Sequence, residues 1–170
     1  MIDGTPKRIL LVEDEALIAL SEQKMLEKHG FSVTTAASGE KAVSAVLEDS
    51  GIDLILMDIN LGKGMDGTEA AARILEKTDM PLIFLSSHTE RDVVEKTRGI
   101  TSYGYIVKNS GETVILASID MAFKLFEAKL RIQAQRMDIE AAYEEMQVAN
   151  EELMQSQQEL LDRERALQQE

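Results

Sequence analysis

The chain has no cysteine, no tryptophan and only two prolines among its 170 residues. Without cysteine, disulfide bonds and thiolate metal sites are excluded. Basic residues are also scarce, since 18 lysines and arginines face 31 acidic residues and the formal net charge is −13. Binding to nucleic acid needs a basic face that neutralises phosphates, so we expect no direct contact of this chain with DNA or RNA.

Long hydrophobic runs are missing as well. No apolar stretch approaches the roughly 20 residues that a membrane-spanning helix requires. The N-terminal residues, "MIDGTPKRILLVEDE", lack the charged leader, apolar stretch and small-residue cleavage site of a signal peptide. We therefore expect a cytoplasmic protein, or a piece of one, that does not contact a membrane.

The first 120 residues contain short apolar runs that alternate with amphipathic stretches. Continuous apolar strands that alternate with helices are typical of a parallel sheet covered on both faces. The sequence thus predicts a doubly wound α/β domain of five parallel strands, (βα)5, for which two strand orders are common. The predicted strands are residues 8–12, 31–37, 53–57, 81–87 and 104–108, and the predicted helices are 15–29, 39–49, 67–77, 90–98 and one that begins near 111.

Polar residues stand at the carboxyl ends of these strands, where ligands gather in doubly wound sheets. Acidic side chains follow the first and third strands, a serine ends the fourth, and a lysine ends the fifth. Carboxylates on one sheet edge repel each other unless a cation lies among them. Oxygen ligands without histidine or cysteine favour Mg²⁺, with Mn²⁺ as an alternative. The residues at these ends are Glu13, Asp14, Asp58, Ser86 and Lys108.

The same residues could also bind a phosphoryl group and react with it. A cation and the Lys108 ammonium would neutralise charge on phosphoryl oxygens, and the Ser86 hydroxyl would donate a hydrogen bond to one of them. Asp58 would then be the nucleophile, because a carboxylate can attack phosphorus and form an acyl phosphate. The sequence therefore predicts a phosphoacceptor site in which Asp58 is modified.

Over about residues 5–125 the chain resembles the receiver domain of two-component response regulators, which implies the flavodoxin-like order of the five strands. In that family the acidic pair after the first strand, here Glu13 and Asp14, binds the metal. The phosphoacceptor matches Asp58, and the backbone carbonyl of Asn60 is implied as a further metal ligand. The stretch "DINLGKGMDGTEAA" also resembles the loop that leads into the third helix of receivers.

The resemblance also implies which residues respond to phosphorylation. The serine or threonine of the family matches Ser86, its lysine matches Lys108, and its switch aromatic matches Tyr105. Ser87 ends the predicted fourth strand, where receivers carry a small residue that modulates access to the phosphoryl group, and His88 beside it could shape the access of water. The resemblance further implies a histidine kinase or phosphotransfer protein as the phosphodonor.

One residue departs from the receiver pattern. Receivers usually have a proline after the lysine, joined through a cis peptide bond, whereas Asn109 follows Lys108 here. A cis bond before a residue other than proline costs about 3–4 kcal/mol. The sequence therefore leaves open whether the Lys108–Asn109 peptide is cis.

The C-terminal residues show a different pattern. Beyond Gly111 there is no glycine or proline, and apolar residues recur every seven positions, which is typical of a coiled coil. Neither companion position completes the seam well, because both carry polar residues, so its register is open. The helix could instead pack on a neighbouring domain. The recurring residues, named here the heptad stripe, are Leu125, Ile132, Ile139, Met146, Leu153, Leu160 and Leu167.

These patterns predict a receiver domain over residues 1–125 and a signalling helix over 126–170 that forms a homodimer. The helix resembles those that join receivers to PAS or histidine-kinase modules, so a downstream module is expected beyond this chain. Two alternatives come from other classes of protein. An aspartyl-phosphate hydrolase would need a second acid where Asn60 stands, and a dimerisation scaffold would carry only a relict receiver. We therefore expect a phosphoacceptor in a phosphorelay and no enzyme with turnover on an outside substrate.

Overall fold

The computed structural model describes residues 5–86 and 103–167. The predicted helix over 90–98 and the residues Ser87 and His88 lie outside this part of the chain. The elements are β1 (Arg8–Val12), α1 (Ala16–Lys28), β2 (Ser32–Ala36), α2 (Gly39–Glu48), β3 (Leu54–Asp58), α3 (Gly67–Leu75), β4 (Leu82–Ser86), β5 (Gly104–Val107), a 3-10 turn (Lys108–Ser110) and α4 (Glu112–Leu167).

The five strands form one parallel sheet in the order β2-β1-β3-β4-β5. The predicted doubly wound, flavodoxin-like sheet followed by a long helix is thereby confirmed. All five residues of β3 and all five of β4 are buried, while β2 at the sheet edge is largely exposed. Burial of the inner strands on both faces explains why their sequences are continuously apolar.

Alternate residues of the strands point to opposite faces of the sheet and build two hydrophobic cores. One core packs Leu10, Ile55 and Phe84 against α2 and α3. The other packs Leu11 and Leu56, among others, against α1 and the first turns of α4. The sheet is thus covered on both faces, and its carboxyl edge is left open to polar chemistry.

The long helix α4 changes character along its length. Near its start Ile115, Ile119 and Ala122 are buried at helical spacing in the core they share with α1. Every residue from 130 to 165 is exposed in the single chain. By its internal packing the chain divides into one unit of residues 1–127 and another of residues 128–170.

Within the described residues, no helix combines the length and the apolar character that crossing a membrane would require.

Candidate functional site

The carboxyl edge of the sheet brings together the predicted polar residues. Asp58 is the last residue of β3 and is 4% exposed, and Ser86 is the last residue of β4 and fully buried. Glu13 directly follows β1 and is 1% exposed, whereas Asp14 beside it is exposed. Buried carboxylates are costly unless they are paired, so their partners define the site.

Lys108 provides that pairing. Its Nζ donates to Asp58 Oδ2 at 2.8 Å and also to Glu13 Oε2, so that one ammonium bridges the two buried carboxylates. Burial would lower the pKa of Lys108, but the hydrogen bonds to Asp58 and Glu13 outweigh it and raise the pKa. Lys108 therefore remains a cation beside the carboxylate of Asp58.

Burial disfavours the charged form of Glu13. Its desolvation raises the pKa of the carboxyl above the ordinary value, although Lys108 acts in the opposite direction. The backbone N–H of Glu15 donates to Glu13 Oε1 at 3.2 Å. The two Glu13 oxygens thus have separate partners, one from Lys108 and one from the backbone.

Three carboxylates of the site could hold a metal ion. Oxygen atoms of Glu13, Asp14 and Asp58 all lie within 4.8 Å of one another. Such hard oxygen donors suit Mg²⁺, which accepts a few protein ligands and keeps several waters. Exposed Asp14 leaves one side of this cluster open to water, so the donor set fits Mg²⁺ in chemistry and in access.

The backbone around Asp58 is held by close contacts. The N–H of Asn60 donates to Asp58 Oδ1 at 3.2 Å, and the N–H of Gly67 donates to the carbonyl of Ile59 at 3.0 Å. A Cβ on Gly67 would lie 1.8 Å from the carbonyl oxygen of Asp58. Asp66 caps α3 by accepting from the N–H of Glu69 at 2.9 Å. Gly67 is therefore the residue that lets α3 begin directly against the end of β3.

The two predicted switch residues lie on neighbouring strands. Ser86 pairs in register with Val107 on β5, and Tyr105 lies two residues earlier on that strand with 37% of its surface exposed. Among the described residues no peptide bond is cis, so the Lys108–Asn109 bond is trans and opens the 3-10 turn.

A carboxylate that the sequence reasoning missed lies beside these residues. Glu22 of α1 lines a pocket of about 480 Å³ together with Asp58, Asn60 and Lys108. Its Oε2 is buried and has no hydrogen-bond partner within residues 5–86 and 103–167. Burial, followed by the charge of Glu13, raises the pKa of Glu22 to about 7.

Its position in α1 contained a signal. Glu22 is three residues after Ala19 and four before Leu26, the two buried residues of that helix. Residues at these spacings share one helix face, so an acid between them is directed toward the protein interior.

Residues 9–120 match the family described as the response regulator receiver domain. The transcriptional regulatory protein PdtaR of Mycobacterium tuberculosis is 32% identical over 124 residues, which cover 72% of this chain and 60% of PdtaR. The protein-glutamate methylesterase/protein-glutamine glutaminase of Archaeoglobus fulgidus is 35% identical over 116 residues, 66% of this chain and 32% of that protein. This chain therefore aligns with less than two thirds of the length of either relative.

A solved structure has the same fold. It is the N-terminal domain of a response regulator/sensory box/GGDEF 3-domain protein from Carboxydothermus hydrogenoformans, with a TM-score of 0.69 and 44% identity. The alignment covers 73% of this chain and 99% of that domain. With the parallel sheet, the acidic edge and a match over most of residues 5–125, the chain belongs to the response regulator receiver family.

Proposed function

We propose that this receiver is the phosphoacceptor of a two-component phosphorelay and that Asp58 takes a phosphoryl group from a histidine kinase or phosphotransfer protein. The observation that carries the proposal is the placement of Asp58. It is a buried carboxylate at the end of a strand, it is paired with Lys108, and it lines an open pocket. A purely structural acid would not need an open pocket at its carboxylate.

The residues of the site would have separate roles in the transfer of the phosphoryl group. One Asp58 oxygen attacks phosphorus, and the bond from phosphorus to the donor nitrogen breaks, with its electron pair leaving on the donor. Lys108 is placed to follow the developing charge, because its ammonium already contacts Asp58 Oδ2 at 2.8 Å. Bound Mg²⁺, held by Glu13, Asp14, Asp58 and the carbonyl of Asn60, would supply further charge neutralisation at the phosphoryl oxygens.

Phosphorylation would be read through Ser86 and Tyr105. The Ser86 hydroxyl would donate to a phosphoryl oxygen, and Tyr105, which is more than one third exposed, would turn inward. Such a change alters the surface at the edge strand β5. The edge position of β5 supports this proposal, because an edge strand can change its surface without disturbing β1 and β3.

The long helix would carry the change onward. Because α4 begins in the receiver core and continues through residue 167 without a break, a rotation of the receiver could be transmitted along it. The heptad stripe would pair with a second copy of the chain. A module beyond this helix would supply the output, an arrangement for which the sensory box and GGDEF domains named with the Carboxydothermus receiver offer a parallel.

The first test is Asp58→Asn, which keeps the shape of the side chain but removes the nucleophile. With phosphoramidate and Mg²⁺ we expect one acid-labile phosphoryl group on the wild-type chain and none on the variant. Asp49→Asn is the matched control, because Asp49 is a partly exposed acid paired with Arg8 away from the site. Undiminished labelling of the Asp58→Asn chain would disprove the assignment.

The second test addresses the metal. Asp14→Asn removes one ligand charge and leaves Asp58 in place, so Mg²⁺ should bind about tenfold or more weakly and labelling should slow. Titration of Mg²⁺ against the labelling rate measures both effects. An unchanged Mg²⁺ dependence would remove Asp14 from the metal site.

A further inference from the structure

Glu22 has no role in the phosphotransfer described above, yet it belongs to the same pocket. It shares the pocket wall with Asp58, Asn60 and Lys108, and its Oε2 is buried without a hydrogen-bond partner among the described residues. A buried carboxylate oxygen without a donor costs folding free energy. An unused, costly group beside reacting atoms is a candidate for a chemical role.

Loss of the phosphoryl group requires a proton acceptor. Water attacks phosphorus, the bond between phosphorus and the Asp58 oxygen breaks, and its electron pair returns to the Asp58 carboxylate. The acyl phosphate dianion and water thus give a carboxylate, hydrogen phosphate and one proton. A group that receives this proton as the water attacks raises the rate of hydrolysis, typically by a factor of about 10²–10⁴.

The other acids of the pocket region are less suited to that task. Glu13 has both oxygens engaged, by Lys108 and by the N–H of Glu15, and Asp58 is the leaving group. Asp14 is exposed and belongs to the metal cluster. Glu15 lines the pocket, but it is exposed to bulk solvent at the rim.

We propose that Glu22 is a catalytic residue for hydrolysis of the phosphoryl group on Asp58, accepting the proton of the attacking water. The proposal rests on the proposed function, because it presumes that Asp58 is phosphorylated. Its geometric basis is the pocket wall that Glu22 shares with Asp58 and Lys108. Within the described residues, Oε2 of the same carboxylate has no hydrogen-bond partner that would hold it in a structural role. Glu22 then limits the lifetime of the signal without taking part in its formation.

The test is the lifetime of the phosphorylated chain. Wild type and Glu22→Gln are labelled with phosphoramidate and Mg²⁺, excess donor is removed, and loss of the acid-labile phosphoryl group is followed in Mg²⁺ buffer. Glutamine keeps the shape but cannot accept the proton, so we expect the half-life to lengthen about tenfold or more. The labelling rate and the Mg²⁺ dependence should stay within about twofold of wild type.

Two further variants separate proton transfer from a general change in charge. Glu22→Ala opens space for a small acid, and added formate should restore rapid hydrolysis to it but not to Glu22→Gln. Glu15→Gln removes a carboxylate from the rim of the same pocket and should leave the half-life within about twofold of wild type.

The results distinguish failure of this inference from failure of the proposed function. A Glu22→Gln half-life within twofold of wild type, or a Glu22→Ala chain that formate does not accelerate, overturns this inference and leaves the proposed function intact. A wild-type chain that never takes label overturns the proposed function, and this inference falls with it.

Discussion

The receiver and the exposed part of α4 use apolar residues in opposite ways. Leu56 and Phe84 in the sheet are at most 1% exposed, whereas Ile139 and Leu153 of the heptad stripe are 69% and 55% exposed in the single chain. The sheet residues bury their surface within one chain. The stripe residues leave theirs exposed within one chain, so we expect the receiver to be stabilised by folding and the exposed part of α4 by association.

This difference has a thermodynamic consequence. Stability that arises within one chain does not depend on protein concentration, whereas stability that arises between chains does. Four sets of substitutions test this difference between the sheet and the helix. Each is measured by the free energy of unfolding of the receiver, and they run from the largest expected change to the smallest.

The largest change is expected in the centre of the sheet. Leu56→Ala on β3 leaves a cavity in the core shared with α1 and α4, and should lower the free energy of unfolding by about 2–5 kcal/mol. Urea unfolding at two protein concentrations would measure this loss and show that it is the same at both. Leu17→Ala is the matched control, because Leu17 is 84% exposed and should cost well under 1 kcal/mol. Equal losses for the two variants would contradict the description of the core.

The second change is expected where α3 meets the end of β3. Gly67→Ala places a Cβ 1.8 Å from the Asp58 carbonyl oxygen, so the backbone must shift, at a cost of about 1–3 kcal/mol. Displacement of Asp58 should also slow labelling by a phosphodonor. In Gly104→Ala the new Cβ would meet its nearest neighbour, Ile83, at 3.8 Å, so that variant should change neither quantity appreciably. A Gly67→Ala chain as stable and as reactive as Gly104→Ala would disprove the close contact.

The inner strands were predictable because their burial is continuous along the sequence. The run at 8–12 coincides with β1 (Arg8–Val12), since a strand buried on both faces has only apolar residues between its polar ends. The third helix was predicted to residue 77 but ends at Leu75. There Thr78 Oγ1 donates to the carbonyl of Ile74 at 2.9 Å, and the N–H of Lys77 bonds to the same carbonyl. The helical spacing of the polar residues in this stretch gave no indication that these hydrogen bonds would end the helix.

The site was predictable to the extent that it follows from strand ends. From the sequence, the rule that ligands gather at the carboxyl edge predicts that Glu13, Asp58 and Lys108 lie close together. The bridging of two carboxylates by one ammonium depends on how β1 and β5 are placed across the sheet, because Glu13 and Lys108 are 95 positions apart in the sequence. Glu22 was missed because the orientation of α1 decides which of its acids points inward.

The third change in the free energy of unfolding is expected from the raised pKa of Glu22. An acid whose pKa is higher in the folded chain than in the unfolded chain adds stability below about pH 4.5, and that stability is lost as the pH rises toward 7. With partial solvent screening, this loss should be about 1–2 kcal/mol. Glu22→Gln removes this dependence, so its stability relative to wild type should increase by that amount between about pH 5 and pH 8.

Urea unfolding of both chains at these two pH values, without Mg²⁺, would measure the difference. Glu27→Gln is the control, because Glu27 is an exposed acid of the same helix. A Glu22→Gln chain whose advantage over wild type does not grow with pH would show that Glu22 is not desolvated in the folded receiver.

The smallest change in receiver stability should accompany the largest change in association. Ile139→Asp with Leu153→Asp places unpaired charges in the heptad stripe, and buried charges without partners are strongly destabilising to an interface. Both side chains are exposed in the single chain, so the free energy of unfolding of the receiver should change by less than about 0.5 kcal/mol. We expect the wild-type chain to sediment as a parallel dimer at micromolar concentration and the double variant as a monomer.

The matched control adds the same charges away from the stripe. Gln133→Asp with Gln147→Asp has the same spacing along α4 and should remain dimeric. A chain truncated after Lys129 retains the buried start of α4, so it should take label at Asp58 while being largely monomeric. A truncated receiver as dimeric as the full chain would mean that the receiver surface holds the pair together. Because the heptad stripe would then have no partner in the dimer, transmission through a paired helix would fail as an explanation of output.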